Sequence, residues 1–192
     1  MGAYSPAPVV TADVHRKAMD TIILPTIAGM AADGIEFTGF LYAGLMIEPN
    51  GDVKTLEFNT RMGDPETQPI MMRLKSDLAH VLLAACDKRL DQIELDWDAR
   101  PAMGVVLAAH GYPLSPRKGD VIAALPADQD DAMVFHAGTQ MVDGVLQTNG
   151  GRVLCATALG DTLAQAQQRA YALVSAVNFE GMQFRRDIGY RA

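Results

Sequence analysis

The chain has 192 residues, 49% of them hydrophobic and 20% charged, and acidic side chains outnumber basic ones 23 to 16 for a formal charge of -7. This describes a globular protein with a real core, arranged as one full domain or two small ones. The acidic balance argues against a general nucleic-acid surface or an anionic membrane as partner, yet it leaves room for a phosphate ligand, which needs only a few local donors.

No stretch approaches the length of a membrane span, and the N-terminus lacks a basic region followed by an apolar one. The opening MGAYSP imitates an acylation signal, but Pro6 occupies the position that needs Ser or Thr. Cys86 and Cys155 each sit in an apolar run without CxxC spacing. They read as two buried thiols in a reducing cytoplasm. Gly2, Pro6 and Pro8 make an opening loop with no preceding element to connect, which suggests a fragment.

Residues 12–32 are predicted to be helical behind an N-cap at Thr11, with Val14, Ala18 and Ile22, and Met19 and Ile23, at helical spacing. Pro25 should kink or split this helix, and Gly34 should end it. Residues 37–48 and 53–59 read as strands around Pro49-Asn50-Gly51-Asp52, where Asn-Gly is a strong hairpin signal. With Asn50 and Gly51 as a two-residue loop, Leu45 faces Leu56, Gly44 faces Glu57, Ala43 faces Phe58 and Tyr42 faces Asn59. Leu41, Ala43, Leu45, Leu56 and Phe58 then share a face turned to the core, while Tyr42, Gly44, Glu57 and Asn59 share the other.

Residues 60–68 form a polar loop. Helical character resumes near Ile70 and again from Asp77, where Leu78, Val81, Leu82 and Ala85 make an apolar stripe. The charged, aperiodic stretch 91–101 is the candidate boundary, with Trp97 expected to anchor it. Strands are expected at 104–109, 120–125, 134–142 and 152–158, separated by turns at Gly111-Tyr112-Pro113, Asp143-Gly144 and Asn149-Gly150-Gly151. Asp161 or Thr162 caps a last helix that buries Leu163, Ala166, Ala170, Leu173, Val174 and Val177, and residues 182–188 form a final strand. The fold class is α+β: an antiparallel hairpin with helices, followed by a mainly β half with one helix.

The run LEFNTRMGDPE carries the chemistry. Glu57 and Asn59, two apart on a strand, project a carboxylate and an amide oxygen from one face, a donor set suited to Mg²⁺ holding nucleotide phosphates. Gly44 across from Glu57 leaves that space open. Arg61 at the strand end can neutralise phosphate charge, and Asp64 and Glu66 add acidic groups in the adjoining loop. Glu and Asn also decorate the solvated faces of ordinary edge hairpins, so spacing alone leaves both readings open. His110 and His136 read as structural or exposed; Arg152, just after the glycine turn, is within reach of a ligand but reads first as a surface arginine. Asn149-Gly150-Gly151 reads as a hairpin turn needing positive φ, without the spacing of a phosphate cradle.

The segments MGAYSPAP, GFLYAGLMI, EFNTRMGDPETQP, TNGGRVL and RRDIGYRA span the chain in order and resemble the C-terminal portion of the glycinamide ribonucleotide synthetase (phosphoribosylamine–glycine ligase) family, in the ATP-grasp superfamily. The resemblance implies the C-terminal part of an ATP-grasp domain at 1–92 and the family's C-terminal domain at 97–192. It implies a ligase in which ATP phosphorylates glycine and the amine of 5-phosphoribosylamine attacks the acyl phosphate, giving glycinamide ribonucleotide for purine biosynthesis. It assigns Glu57 and Asn59 to Mg²⁺ or Mn²⁺, and Arg61 and Asp64 to catalytic contacts with phosphate and substrate. Family members carry an N-terminal domain and an ATP-clamping subdomain ahead of MGAYSP. The chain alone is therefore expected to be inactive, and to self-associate through the uncovered face. A non-catalytic binding module and an ATP-grasp ligase for another carboxylate and amine are the alternatives; GDPETQP and GAYSP favour glycine.

Overall fold

The computed structural model describes residues 1–123 and 125–191; Ala124 and Ala192 lie outside the described residues. Two compact units emerge, neither continuous in sequence. Met1–Ser5, Asp64–Leu74 and Trp97–Ala192 form the first, and Pro6–Gly63 with Lys75–Asp96 the second. The expected division into 1–92 and 97–192 follows the chain, whereas packing places residues 1–5 and 64–74 with the later half.

The first unit holds the core. Strands β1 (Gly2–Ser5), β4 (Ala102–Ala108), β8 (Arg152–Leu159) and β5 (Ala132–His136) make an antiparallel sheet in the order β1-β4-β8-β5. Period-2 alternation sends Gly104, Cys155 and Thr157 to one face, where a β-carbon on Gly104 would meet Pro69 of helix α3 (Thr67–Arg73) at 3.3 Å. The opposite face carries Val105, Leu107, Leu154 and Ala156 into a cluster with Ala170 and Val174 of α5 (Leu163–Ala176). With both faces covered, AMGVVLA is buried along its whole length, as its unbroken apolar sequence implies. Thr162 caps α5 as expected, its Oγ1 accepting from the Gln165 N–H at 3.2 Å.

Strands β6 (Thr139–Val142) and β7 (Val145–Thr148) form a separate hairpin. Asp143 and Gly144 both have positive φ, 49° and 77°, which matches a two-residue turn with the twist of a hairpin.

Several expectations for this unit are corrected. Gly2–Ser5 is a strand rather than a loop, because its partner is the distant β4, Gly2 pairing with Val105. Within 120–125, where Ala124 is outside the described residues, Val121 makes only an isolated bridge to Gln147. The expected strand 134–142 breaks at Ala137 and Gly138 into β5 and β6, which belong to different sheets. Residues 182–188 contribute one bridge, Gln183 to Ala108. Asn149-Gly150-Gly151 does not close a hairpin, since β7 pairs with β6 while β8 pairs with β4 and β5. Its glycines have no positive φ; a β-carbon on Gly150 would stand 2.9 Å from the Gly138 Cα, so close backbone approach is what requires them.

The second unit begins with α1 (Ala12–Ala18), whose Thr11 Oγ1 accepts from the Val14 N–H at 3.3 Å. A π-helical turn at Met19–Ile23 separates it from α2 (Leu24–Ala32). Pro25 lacks an N–H and its ring crowds the carbonyl four residues back; the wider π turn, closed by the Leu24 N–H on the Met19 carbonyl, accommodates both. Strands β2 (Tyr42–Ile47) and β3 (Val53–Asn59) form the expected hairpin. Its loop is one residue longer than expected: Glu48 N–H bonds to the Asp52 carbonyl and Gly51, at φ 80°, to the Glu48 carbonyl, both at 2.8 Å. Leu45 therefore pairs with Thr55, not Leu56, and a bulge between Gly44 and Leu45 restores the register. The two offsets cancel, so Tyr42–Asn59, Ala43–Phe58 and Gly44–Glu57 are opposed as expected.

The expected burial of Leu56 and Phe58 does not occur; they are 65% and 42% exposed. The bulge removes Leu56 from the ladder, and the buried apolar side chains of this unit, among the described residues, are Val14, Ala18 and Ala84. Helix α4 (Leu78–Cys86), capped by Asp77, buries Ala84 rather than Leu82, which leaves Cys86 exposed instead of buried. Among the described residues no helix is long and apolar enough to cross a membrane.

Candidate metal and substrate site

Glu57 and Asn59 lie on the same face of β3, opposite Gly44 and Tyr42. A β-carbon at Gly44 would approach the Glu57 Cγ to 3.0 Å and Oε1 to 3.7 Å, so the missing side chain gives the Glu57 carboxylate room to stand above the ladder. Nearby cations are committed elsewhere. Lys17 of α1 donates to the Gly51 carbonyl at 3.0 Å and to Asp52 at 3.3 Å, and Lys54 pairs with Glu48 at 2.6 Å. Among the described residues the Glu57 carboxylate has no ion pair or side-chain hydrogen bond.

That donor set tests which cation fits. The described residues contain no group of three or more His, Cys, Asp or Glu able to hold a metal. One carboxylate and one amide oxygen fall short of an all-protein calcium or zinc cage. They suit Mg²⁺, which keeps several waters and shares its remaining positions with phosphate oxygens. Glu57 and Asn59 fit that class.

Arg61 is exposed just beyond β3, where its guanidinium donates to the Met62 carbonyl at 2.9 Å. The next part of the motif belongs to the other unit. Asp64 lies between buried Gly63 and buried Pro65, and Arg152 holds it at two points: Nη1 donates to the Asp64 carbonyl at 2.6 Å and stands 3.1 Å from Oδ2. The structure thus brings Glu57 and Asn59 together, leaves Arg61 beside them along the chain, and describes Asp64 within its own unit.

Sequence reasoning missed two arginines. Arg152, read as a surface residue, grips a residue 88 positions away. Arg73 donates to Ser5 Oγ at 2.8 Å and to the carbonyls of Asp98 and Arg100 at 3.2 and 3.1 Å, with its guanidinium 5.8 Å from the Trp97 ring centre. Trp97 makes a backbone bridge to Leu74 but its side chain is exposed, so it is Arg73 that gathers the ends of β1 and α3 and the approach to β4. Neither arginine has a local signal; only the length of the segments between partners, closed by folding, reveals them.

Comparison with known proteins gives this geometry a context. Residues 1–67 match the family "Phosphoribosylglycinamide synthetase, ATP-grasp (A) domain", and residues 102–191 match "Phosphoribosylglycinamide synthetase, C domain". The chain is 60% identical over 192 residues to a phosphoribosylamine–glycine ligase of Ralstonia nicotianae, covering 100% of the chain and 46% of that relative. It is 58% identical to the Escherichia coli K12 ligase, covering 100% and 45%. The crystal structure of the Thermotoga maritima ligase superposes with a TM-score of 0.84 at 37% identity, over 97% of the chain and 46% of that structure. A biotin carboxylase domain from Hydrogenobacter thermophilus, at 13% identity and a TM-score of 0.66, shares the fold alone. The chain spans less than half the length of each of these relatives.

Proposed function

We propose that this chain, which belongs to the phosphoribosylglycinamide synthetase family of the ATP-grasp superfamily, serves as the metal-holding part of a phosphoribosylamine–glycine ligase. The observation that carries the reading is the Glu57–Asn59 pair, set on one open strand face in a chain 60% identical from end to end to such a ligase. The substrates are ATP, glycine and 5-phosphoribosylamine. Glycine is activated as its acyl phosphate and the amine attacks it, giving glycinamide ribonucleotide, ADP and phosphate.

Glu57 and Asn59 would hold Mg²⁺ or Mn²⁺. A bound divalent ion there supplies charge neutralisation for ATP phosphates. Arg61, with an exposed guanidinium, adds a cation for the charge that develops during phosphoryl transfer. Asp64, held in a fixed turn, contacts the substrate. The residues 1–92 supply these groups as part of the ATP-grasp domain, and 97–192 form the C-terminal domain; the two family matches at 1–67 and 102–191 support that division. The exposed apolar side chains of the second unit, Leu24, Ile27, Phe40, Leu56, Phe58 and Leu83 among them, support self-association of the chain by itself. A cytoplasmic setting agrees with the free thiols of Cys86 and Cys155.

The test is a full-length ligase assembled from this chain behind the N-terminal portion of the Ralstonia relative. ATP- and glycine-dependent consumption of phosphoribosylamine, abolished by Glu57→Gln, is the expected result. An assembly that folds but hydrolyses or ligates nothing counts against the reading.

A further inference from the structure

The segment from Thr148 to Arg152 is built to hold one side chain. Thr148 is fully buried, and its Oγ1 accepts from the Asp120 N–H at 3.1 Å. The Asn149 N–H bonds to the Gly138 carbonyl at 2.7 Å, and the Gly151 carbonyl accepts from Ala109 at 2.9 Å. Gly138 donates in turn to the Arg152 carbonyl at 2.8 Å. Gly138 and Gly150 touch backbone to backbone, a β-carbon on Gly138 lying 2.7 Å from the Gly150 Cα, while Gly151 lies against the Tyr112 ring. The β4–β8 register then shifts so that Leu107 pairs with Leu154 but Ala108 with Arg152. A bulge of this kind re-aims the side chain beside it. What it aims is the Arg152 guanidinium, at both the carbonyl and the carboxylate of Asp64.

We propose that Arg152 is a positioning residue, whose two-point grip on Asp64 fixes the turn at 63–66 and with it the carboxylate that meets the substrate. This rests on the reading of Asp64 as a substrate contact. Arg suits the task because one nitrogen of its planar guanidinium, Nη1, carries two N–H groups and meets both acceptors, and a charge-assisted bond to a carboxylate is stronger than a neutral one. A lysine keeps the charge and the N–H donors but not the rigid planar group that aims them.

Two measurements test the proposal. In the chain itself, amide hydrogen exchange at residues 64–68 reports the grip. Arg152→Ala is expected to speed that exchange on the order of tenfold, while β4 and β8 keep their protection. Unchanged exchange at 64–68 would overturn the proposal. In the assembled ligase, Arg152→Ala is expected to lower kcat by roughly tenfold to a hundredfold with the KM for ATP within about twofold, and Arg152→Lys to recover part of the loss. A wild-type kcat in Arg152→Ala, or a lysine variant no better than alanine, would also overturn it. Inactivity of the assembly with Arg152 intact would instead fail the functional reading, and the exchange at 64–68 would then decide the grip.

Discussion

Gly44 stands directly across the β2–β3 ladder from Glu57, close enough that a β-carbon there would come within 3.0 Å of the Glu57 Cγ. The contact is with the middle of a flexible, exposed side chain, so added bulk need not break the hairpin. It would turn the carboxylate away. Gly44→Val, which also favours strand backbone, is expected to leave the thermal midpoint within a few degrees of wild type while weakening divalent-metal binding. Titration with Mn²⁺ alongside a melting curve checks this. Wild-type affinity in that variant would mean that the open space has no bearing on the metal.

The thiol of Cys155 gives a pH signature. Burial, joined by the nearby Asp64 charge and opposed by the Thr157 hydroxyl, pushes its pKa up from 9.0 to about 11. The folded state therefore keeps this proton to higher pH than the unfolded chain does. Its contribution is complete below about pH 9 and is lost as pH rises to about 11, a loss of roughly 2–3 kcal/mol. Cys155→Ala is expected to flatten that part of a stability–pH profile. In the native chain a thiol reagent at neutral pH should label exposed Cys86 and spare Cys155, as peptide mapping would report.

Leu154 is fully buried against α5, whereas Leu83 is 59% exposed on α4. Leu154→Ala is expected to cost about 2–5 kcal/mol through lost contacts and the cavity left behind. Leu83→Ala is expected to change stability by less than about 0.5 kcal/mol. Urea unfolding followed both by the single tryptophan, Trp97, in the same unit as Leu154, and by far-UV circular dichroism, which reports the helices of both units, separates the two. Equal effects would contradict the placement of the core.

What the sequence made legible is what short-range chemistry decides. Asp143-Gly144 specified a tight turn, Thr162 and the spacing of Ala166, Ala170, Leu173 and Val174 specified α5, and Asn50-Gly51 placed Glu57 opposite Gly44. That last success passed through two compensating errors, a loop one residue longer and an unforeseen bulge that adds one residue, Leu56, since hairpin register depends on turn details that Asn-Gly alone does not set. The failures depend on partners distant in sequence. Gly2–Ser5 is a strand only because β4 accepts it, and Asn149-Gly150-Gly151 resembles a turn until Gly138 and Tyr112 are seen packed against it. Leu56 and Phe58 alternate correctly for burial, yet burial also needs a covering surface that no pattern within the strand supplies.

The most direct test of the metal assignment is calorimetric titration of the chain with Mg²⁺ and Mn²⁺, comparing wild type with Glu57→Gln and Asn59→Ala. Both positions lie on the open face of β3, and Glu57 is exposed and unpaired among the described residues, so neither variant is expected to disturb folding appreciably. The expected result is weak divalent binding in the wild type that both variants lower, with unchanged unfolding curves. Identical isotherms in the wild type and Glu57→Gln would contradict the assignment of Glu57 and Asn59 as the metal pair.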